Sequence, residues 1–445
     1  MLNTKIINQM NMRTLIPFFA ALIVAFSSQA QDSALSSMLN VAQAKIGKSS
    51  PAAVKQVAGN DRLALFEKDG GGFAIVKNDG TRQRVVAYSQ SSRLDPSSNN
   101  PGFNWWMNAV KNSSSVMPTT PPDPARFPTR VDSLITTLWG QHEPFNYMEP
   151  LKTWTDDQPM GGVYYPSDNH YVVGCVGVAM AQFMNYYKFP AHGFGQDSVT
   201  VKYEIPGTSS TRNVTFKVDF EQNLFDWDNM IDDYNGEYTL EQAQAVAQLC
   251  YYCSVAAQST YDQFGTGSSD TKCVSAFINH FNYNDTTHYI LRSRYTEPQW
   301  MEMVYTELSN RRPIFYSARD INIELGIFGG HNFIIDGYDE DGLVHVNWGW
   351  HGQENGFFDI AVLDPGLYTY DDWQAMYVGL YPNKQDVAIV GDVDGDGAVS
   401  ASDVTALYNY LLNGDMTHLD TSDVDVDGAV NAADRTAIYN ILLGN

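Results

Sequence analysis

Gly174-Cys175-Val176-Gly177-Val178-Ala179-Met180-Ala181-Gln182-Phe183-Met184-Asn185-Tyr186-Tyr187 is the stretch on which the reading of this chain turns. A loop-like segment, 166–173, precedes it, and Pro190 ends the run. Val176, Met180, Phe183, Met184 and Tyr187 recur at three- and four-residue steps, as on one face of a helix. Cys175 therefore stands at a helix N-terminus, where unpaired N–H groups favour thiolate over thiol and a lowered pKa makes a nucleophile. A free cysteine is as often a small buried hydrophobe. The rest of the chain has to decide between the two.

The sequence has 445 residues, 44% of them hydrophobic and 18% charged, which suits a globular protein of several domains. Its net charge of -24 argues against nucleic acid as the main partner, because phosphates need Lys and Arg. Four cysteines do not make a disulfide framework. Cys250 and Cys253 form a C-x-x-C, but among Ala, Leu, Tyr and Val they read as helix core rather than a redox or zinc site.

In chain order, Met12-Arg13, the apolar Leu15 to Phe26 and Ser28-Gln29-Ala30 read as an export signal, residues 1–30, and no other segment is a membrane span. Residues 31–127 form a small β-rich unit with strand-like Leu63 to Phe66, Gly72 to Val76 and Val85 to Tyr88, then a short helix near Trp105 and Trp106. The Ser- and Pro-rich stretch 112–124 is a linker by composition, so the unit suits a removable pro-segment. Residues 128–383 are helical at 173–188, 239–257, 270–281 and 296–310, then strand-like at 313–317, 331–336, 343–347 and 356–360. Helices followed by strands indicate α+β.

A thiolate nucleophile needs a base, an orienting group and an oxyanion donor. His331 follows Gly329-Gly330, and Asn347 precedes Trp348. If Ile334-Ile335 pairs with Val344 to Val346 as a hairpin, His331 and Asn347 fall near one end, where Asn347 can hold the imidazole and Trp348 can shield it. Gln141, in Trp139-Gly140-Gln141, offers an amide donor to a developing oxyanion.

Together these blocks carry a resemblance. Gly174 to Tyr186, Gly329 to Tyr338, His345 to Gly352 and Trp139 to Asn146 resemble the motifs of the streptopain family of secreted bacterial cysteine peptidases. The resemblance implies a papain-like fold and proteolysis of protein or peptide substrates without a catalytic cofactor. It makes Cys175 the nucleophile, His331 the base and acid, Gln141 part of the oxyanion hole, and Asn347 and Trp348 the groups that orient and shield His331. Gly330 and the Gly267-Ser268 loop would line the cleft. Asn332 and Gly177 stand where the family usually has Ala, and the Gly265 to Asp270 loop is short. The unit after the signal resembles the family's inhibitory propeptide. Two other readings stand beside this one: another Cys-His acyl-transfer enzyme, such as an amidase or a transglutaminase-like protein, and an inert scaffold.

Residues 388–445 hold ten Asp, no Glu and one Arg. Asp392, Asp394, Asp396, Ala398 (through its carbonyl), Ser400 and Asp403 fall at ligand positions of a twelve-residue calcium loop. Asp423, Asp425, Asp427, Ala429, Asn431 and Asp434 repeat the pattern 31 residues later. Each loop leads into a helix, and the two helices are expected to pack through Leu407, Leu411, Ile438 and Leu442. This duplicated loop-helix pair resembles a type I dockerin, which implies two Ca²⁺ ions, a small all-α module and a cohesin-like partner. The whole chain reads as a secreted or cell-surface zymogen.

Overall fold

The computed structural model describes residues 31–47, 53–112, 119–154, 161–205, 207–262, 265–322, 327–360, 373–383, 391, 393, 399–413, 422–425 and 429–443. The expected export signal lies outside the described residues. Among them, no helix is long and apolar enough to cross a membrane.

The N-terminal unit begins with a helix that composition did not announce, α1 (31–46), followed by β1 (Val54–Gly59), β2 (Leu63–Lys68), β3 (Phe73–Asn78), β4 (Gln83–Ser89) and α2 (Pro101–Asn112). The turn residues Asp69 to Gly72 and Asn78 to Gly80 separate β2, β3 and β4 as their composition demands. Met38, Ala42 and Ile46, at helical spacing on α1, pack on the apolar face of this sheet. α2 buries Phe103, Trp106, Met107 and Val110.

The peptidase-like unit is α+β, as expected. Its helices are α3 (Gly174–Tyr187), α4 (Leu240–Ala256), α5 (Asp270–Phe281) and α6 (Glu297–Ser309). Thr239 with Gln242, and Thr296 with Gln299, form capping boxes that start α4 and α6. Its strands are β5 (Gln196–Glu204), β6 (Thr211–Asp219), β7 (Thr260–Asp262), β8 (Gly265–Gly267), β9 (His288–Leu291), β10 (Ile314–Asn322), β11 (Ile327–Tyr338), β12 (Val344–Asn347), β13 (Gly356–Phe358) and β14 (Trp373–Val378). β5 and β6 form a separate hairpin, with Val199, Val201, Tyr203, Val214, Phe216 and Val218 turned into the core. β11 and β12 pair antiparallel, with Ile334 opposite Asn347 and Ile335 opposite Val346.

The two units share one sheet. Among the described residues its order is β1-β2-β3-β4-β13-β12-β11-β10-β14-β9. The seam is β4 on β13, where Tyr88 faces Phe357 and Ala87 faces Phe358. One apolar cluster spans the seam, joining Phe103 and Trp106 of α2 to Phe333, Trp348 and Phe358. The N-terminal unit is therefore no detached domain: its edge strand completes the sheet of its neighbour.

Candidate active site

α3 is sheathed in protein from Val176 to Asn185, whereas Cys175 is only half-buried. Gly174 has φ +84, and a Cβ there would lie 2.9 Å from the carbonyl carbon of Thr266 on β8. Only glycine allows both the left-handed backbone and that approach. The cysteine is thus held at the first turn of α3, beside the β7–β8 hairpin. Its charge state differs from expectation. Burial pushes the Cys175 thiol up, and the Asp270 carboxylate adds to this, while the N–H groups of Asn332, Val176 and Cys175 itself pull it down. The helix terminus acts in the expected direction, but desolvation is larger.

His331 lies on β11, opposite Ala318 of β10. Its Nε2 is 2.8 Å from the Trp348 carbonyl, and among the described residues its Nδ1 has no hydrogen-bond partner. Burial pushes the imidazole down to about 4, with the Trp348 carbonyl opposing. The expected bond from Asn347 to this ring is not made. The Asn347 amide instead donates to the Thr137 carbonyl (2.8 Å) and to Gln182 (3.2 Å), and its oxygen accepts the Gly349 N–H (3.0 Å). Trp348 does lie against the ring, at 6.5 Å between centroids. The reason for the ring's position is on α2. A Cβ on Gly102 would overlap His331 Cδ2 and come within 2.7 Å of Trp348 Cε3. The N-terminal unit therefore covers the histidine with its backbone.

Gln141 is buried, and its carbonyl accepts the Val173 N–H at 3.0 Å, which sets it alongside the start of α3. Gly330 is exposed and Gly267 half-buried at the end of β8. The Ser268 hydroxyl turns inward to donate to the Ala257 carbonyl, so this residue offers backbone rather than side chain to a cleft.

Three fully buried carboxylates of the larger unit anchor the smaller one. Asp339 accepts from Lys45 and from the Tyr88 hydroxyl, each at 2.9 Å. Asp359 accepts from Arg84 and, at 2.6 Å, from Thr119. Glu354 accepts from Asn100 at 3.2 Å and from the Asp95 N–H at 3.4 Å. The described part of the expected linker is also tied down, since Thr120 bonds Glu297 through its backbone at 2.9 Å.

In the acidic tail, α7 (Ala401–Asn413) and α8 (Ala432–Leu442) follow the two loops. Val393, Val404, Leu407, Val424 and Ile438 form its core, with Leu411 at the margin. Leu442, expected in that core, is 41% exposed. Carboxylate oxygens of Asp423, Asp425 and Asp434 lie within 4.8 Å of one another, a hard-oxygen set that fits Ca²⁺. Asp434 is fully buried and accepts the N–H groups of Val424 (2.7 Å) and Asn431 (2.7 Å). In the first loop Ser400 donates its N–H to Asp403 at 2.6 Å. Asp392, Asp394, Asp396, Ala398 and Asp427 lie outside the described residues.

Residues 139–358 match the Peptidase C10 family. A fragment of prointerpain A from Prevotella intermedia is 32% identical, with a TM-score of 0.61, and the match covers 75% of this chain and 99% of that one. The chain belongs to the peptidase C10 (streptopain) family. Streptopain of Streptococcus pyogenes is 26% identical over 377 residues, covering 80% of this chain and 91% of streptopain. The thiol protease/hemagglutinin PrtT of Porphyromonas gingivalis is 27% identical over 341 residues, 71% of this chain but 36% of PrtT. Residues 23–114 match the Spi protease inhibitor family, and residues 390–443 the dockerin type I domain. This C10 protein is thus a cysteine peptidase with a propeptide and a C-terminal dockerin domain.

Sequence reasoning missed several residues of this C10 site. Gly102 carries no chemistry of its own, and only its packing gives it a role. The Asn332 N–H and the Trp348 carbonyl are backbone groups, invisible to a search for reactive side chains. Gly177, singled out in the sequence, has a local reason: a Cβ there would lie 2.8 Å from the Ser254 hydroxyl and 2.7 Å from Val173.

Proposed function

We propose that this C10 protein is a secreted endopeptidase zymogen in which Cys175 and His331 carry the chemistry. Residues 1–30 act as the export signal, 31–127 as the inhibitory propeptide, 128–383 as the peptidase and 388–445 as the dockerin. The observation that carries the reading is Gly102 seated on His331, whose chain neighbour Asn332 turns its N–H to the half-buried Cys175. A thiol that desolvation keeps protonated and a buried neutral imidazole are a pair held at rest.

Removal of α2 frees the His331 ring to take the proton of Cys175. The thiolate then attacks the scissile carbonyl, and the oxyanion is met by the Gln141 amide and the Cys175 N–H. The imidazolium protonates the leaving amine, and water hydrolyses the thioacyl intermediate. Asn347 and Trp348 orient and shield the released ring, while Gly330, Gly267 and Ser268 bind the substrate chain through their backbones. In the dockerin, each loop holds one Ca²⁺, through Asp392, Asp394, Asp396, Ala398, Ser400 and Asp403, and through Asp423, Asp425, Asp427, Ala429, Asn431 and Asp434. The module attaches the enzyme to a cohesin-like partner outside the cell. The test is to express the chain from Gln31, follow its mass with time, and assay casein cleavage. Self-shortening and cleavage that vanish in Cys175→Ala support the reading; cleavage that survives the substitution overturns it.

A further inference from the structure

Glu149 is a carboxyl group that the proposed chemistry does not use. It is 1% exposed, and it joins three elements around the nucleophile. The Ser254 hydroxyl on α4 lies 2.6 Å from its Oε1, and the Tyr261 hydroxyl on β7 lies 2.8 Å from its Oε2. The same Ser254 Oγ is 3.3 Å from the carbonyl of Val173, the N-cap of α3 and two residues before Cys175. β7 pairs with β8, whose Thr266 carbonyl closes on Gly174.

A serine hydroxyl has one proton, so it cannot donate to Glu149 and to Val173 at once. With Glu149 neutral, its Oε1–H donates to Ser254 Oγ, Ser254 donates to the Val173 carbonyl, and Oε2 accepts from Tyr261. Every group is then satisfied. With Glu149 ionised, Ser254 must turn its proton to the carboxylate, and Val173 loses that donor. Gly177 makes this arrangement possible, because a Cβ there would lie 2.8 Å from Ser254 Oγ.

The surroundings bear on which form is held. Glu149 acts electrostatically on Cys250, Tyr251 and Cys253 of α4 and on Tyr261 of β7, and none of these neighbours is a cation. The His170 ring lies 2.6 Å from the Glu149 backbone carbonyl, and burial pushes its imidazole down, toward the neutral form. Burial pushes the Glu149 carboxyl up to about 8, against the Ser254 and Tyr261 hydrogen bonds.

We propose that Glu149 is a positioning residue for Cys175: its neutral form lets Ser254 hold the Val173 carbonyl at the head of α3, and its ionisation releases that hold and lowers kcat. The inference rests on the reading of Cys175 as nucleophile. The test uses the full chain after self-processing, with kcat and KM on fluorescent casein measured from about pH 6 to about pH 10, each profile normalised to its own maximum. The wild type is expected to lose kcat along a limb near pH 8 with KM little changed. In Glu149→Gln, whose amide mimics the neutral acid, that limb moves up by about one pH unit or more. Should Glu149→Gln fail to fold, Ser254→Ala carries the same test, because it severs the link and flattens the limb. A limb that superimposes on the wild type's in the folded variant overturns the inference alone. A wild type without Cys175-dependent cleavage at any pH overturns the nucleophile reading, and this inference with it.

Discussion

The backbone of Gly102 and the imidazole of His331 are in direct contact, with no room between them for a side chain. One substitution therefore tests whether α2 is the inhibitor. Gly102→Val should force α2 off the ring; overpacking costs about 1–3 kcal/mol, which is on the order of a tenfold weaker grip or more. Self-processing measured by gel should accelerate accordingly. Processing at the wild-type rate would show that α2 does not restrain the site.

The same contact makes closure pH-dependent. His331 is held down to about 4 in the closed form, below its ordinary 6.5. The neutral ring therefore stabilises closure fully above about 6.5, and that contribution fades as pH falls toward about 4. Burial holds the Glu354 carboxyl up, which favours its neutral form and acts in the opposite sense. In a Cys175→Ala background, which cannot process itself, the unfolding midpoint is expected to drop across this window. His331→Gln should remove the part of the drop due to the ring; an unchanged slope would assign it elsewhere.

Cys175→Ala and His331→Ala should each abolish casein cleavage without unfolding the peptidase, because nucleophile and base act as a unit. Gln141→Ala should keep the fold and lose on the order of 10²-fold in kcat. Iodoacetamide should label Cys175 faster in the processed enzyme than in the proenzyme, because a His331 ring freed from Gly102 can take the proton that desolvation keeps on the thiol. Equal labelling rates would contradict that account.

Maturation should cut where the connecting segment is most exposed. Thr119 is bound to Asp359 and Thr120 to Glu297, whereas residues 123–126 are exposed. The expected cut lies between Asp123 and Arg130 and leaves a chain that starts near Pro128, which N-terminal sequencing would read. A mature N-terminus beyond Arg130 would refute this placement.

The tail should fold with calcium. Asp423, Asp425 and Asp434 crowd their carboxylates within 4.8 Å, a repulsion that a cation removes. EDTA should unfold the dockerin while the peptidase stays active, and Asp423→Ala together with Asp392→Ala should mimic it. Calorimetry is expected to find two ions per tail. Loss of peptidase activity on chelation would mean that the two modules are not independent.

The sequence by itself determined what depends on near neighbours. The helical spacing from Val176 to Tyr187 defined α3 and put Cys175 at its head. The apolar runs around Ile334 and Val346 specified a β11–β12 pairing that brings His331 and Asn347 toward one end. The repeated Asp spacing marked both loops proposed to bind calcium, since the candidate ligands of each come from one short segment. Only the tertiary structure decided the rest, because desolvation and hydrogen-bond choice depend on groups distant in the chain. It turned His331 to the Trp348 carbonyl and tied Asn347 to Thr137 and Gln182. It raised the Cys175 thiol that its helix terminus alone would have lowered. It also joined Tyr88 to Phe357 across the seam, so that the strands of the N-terminal unit extend the sheet of the peptidase unit.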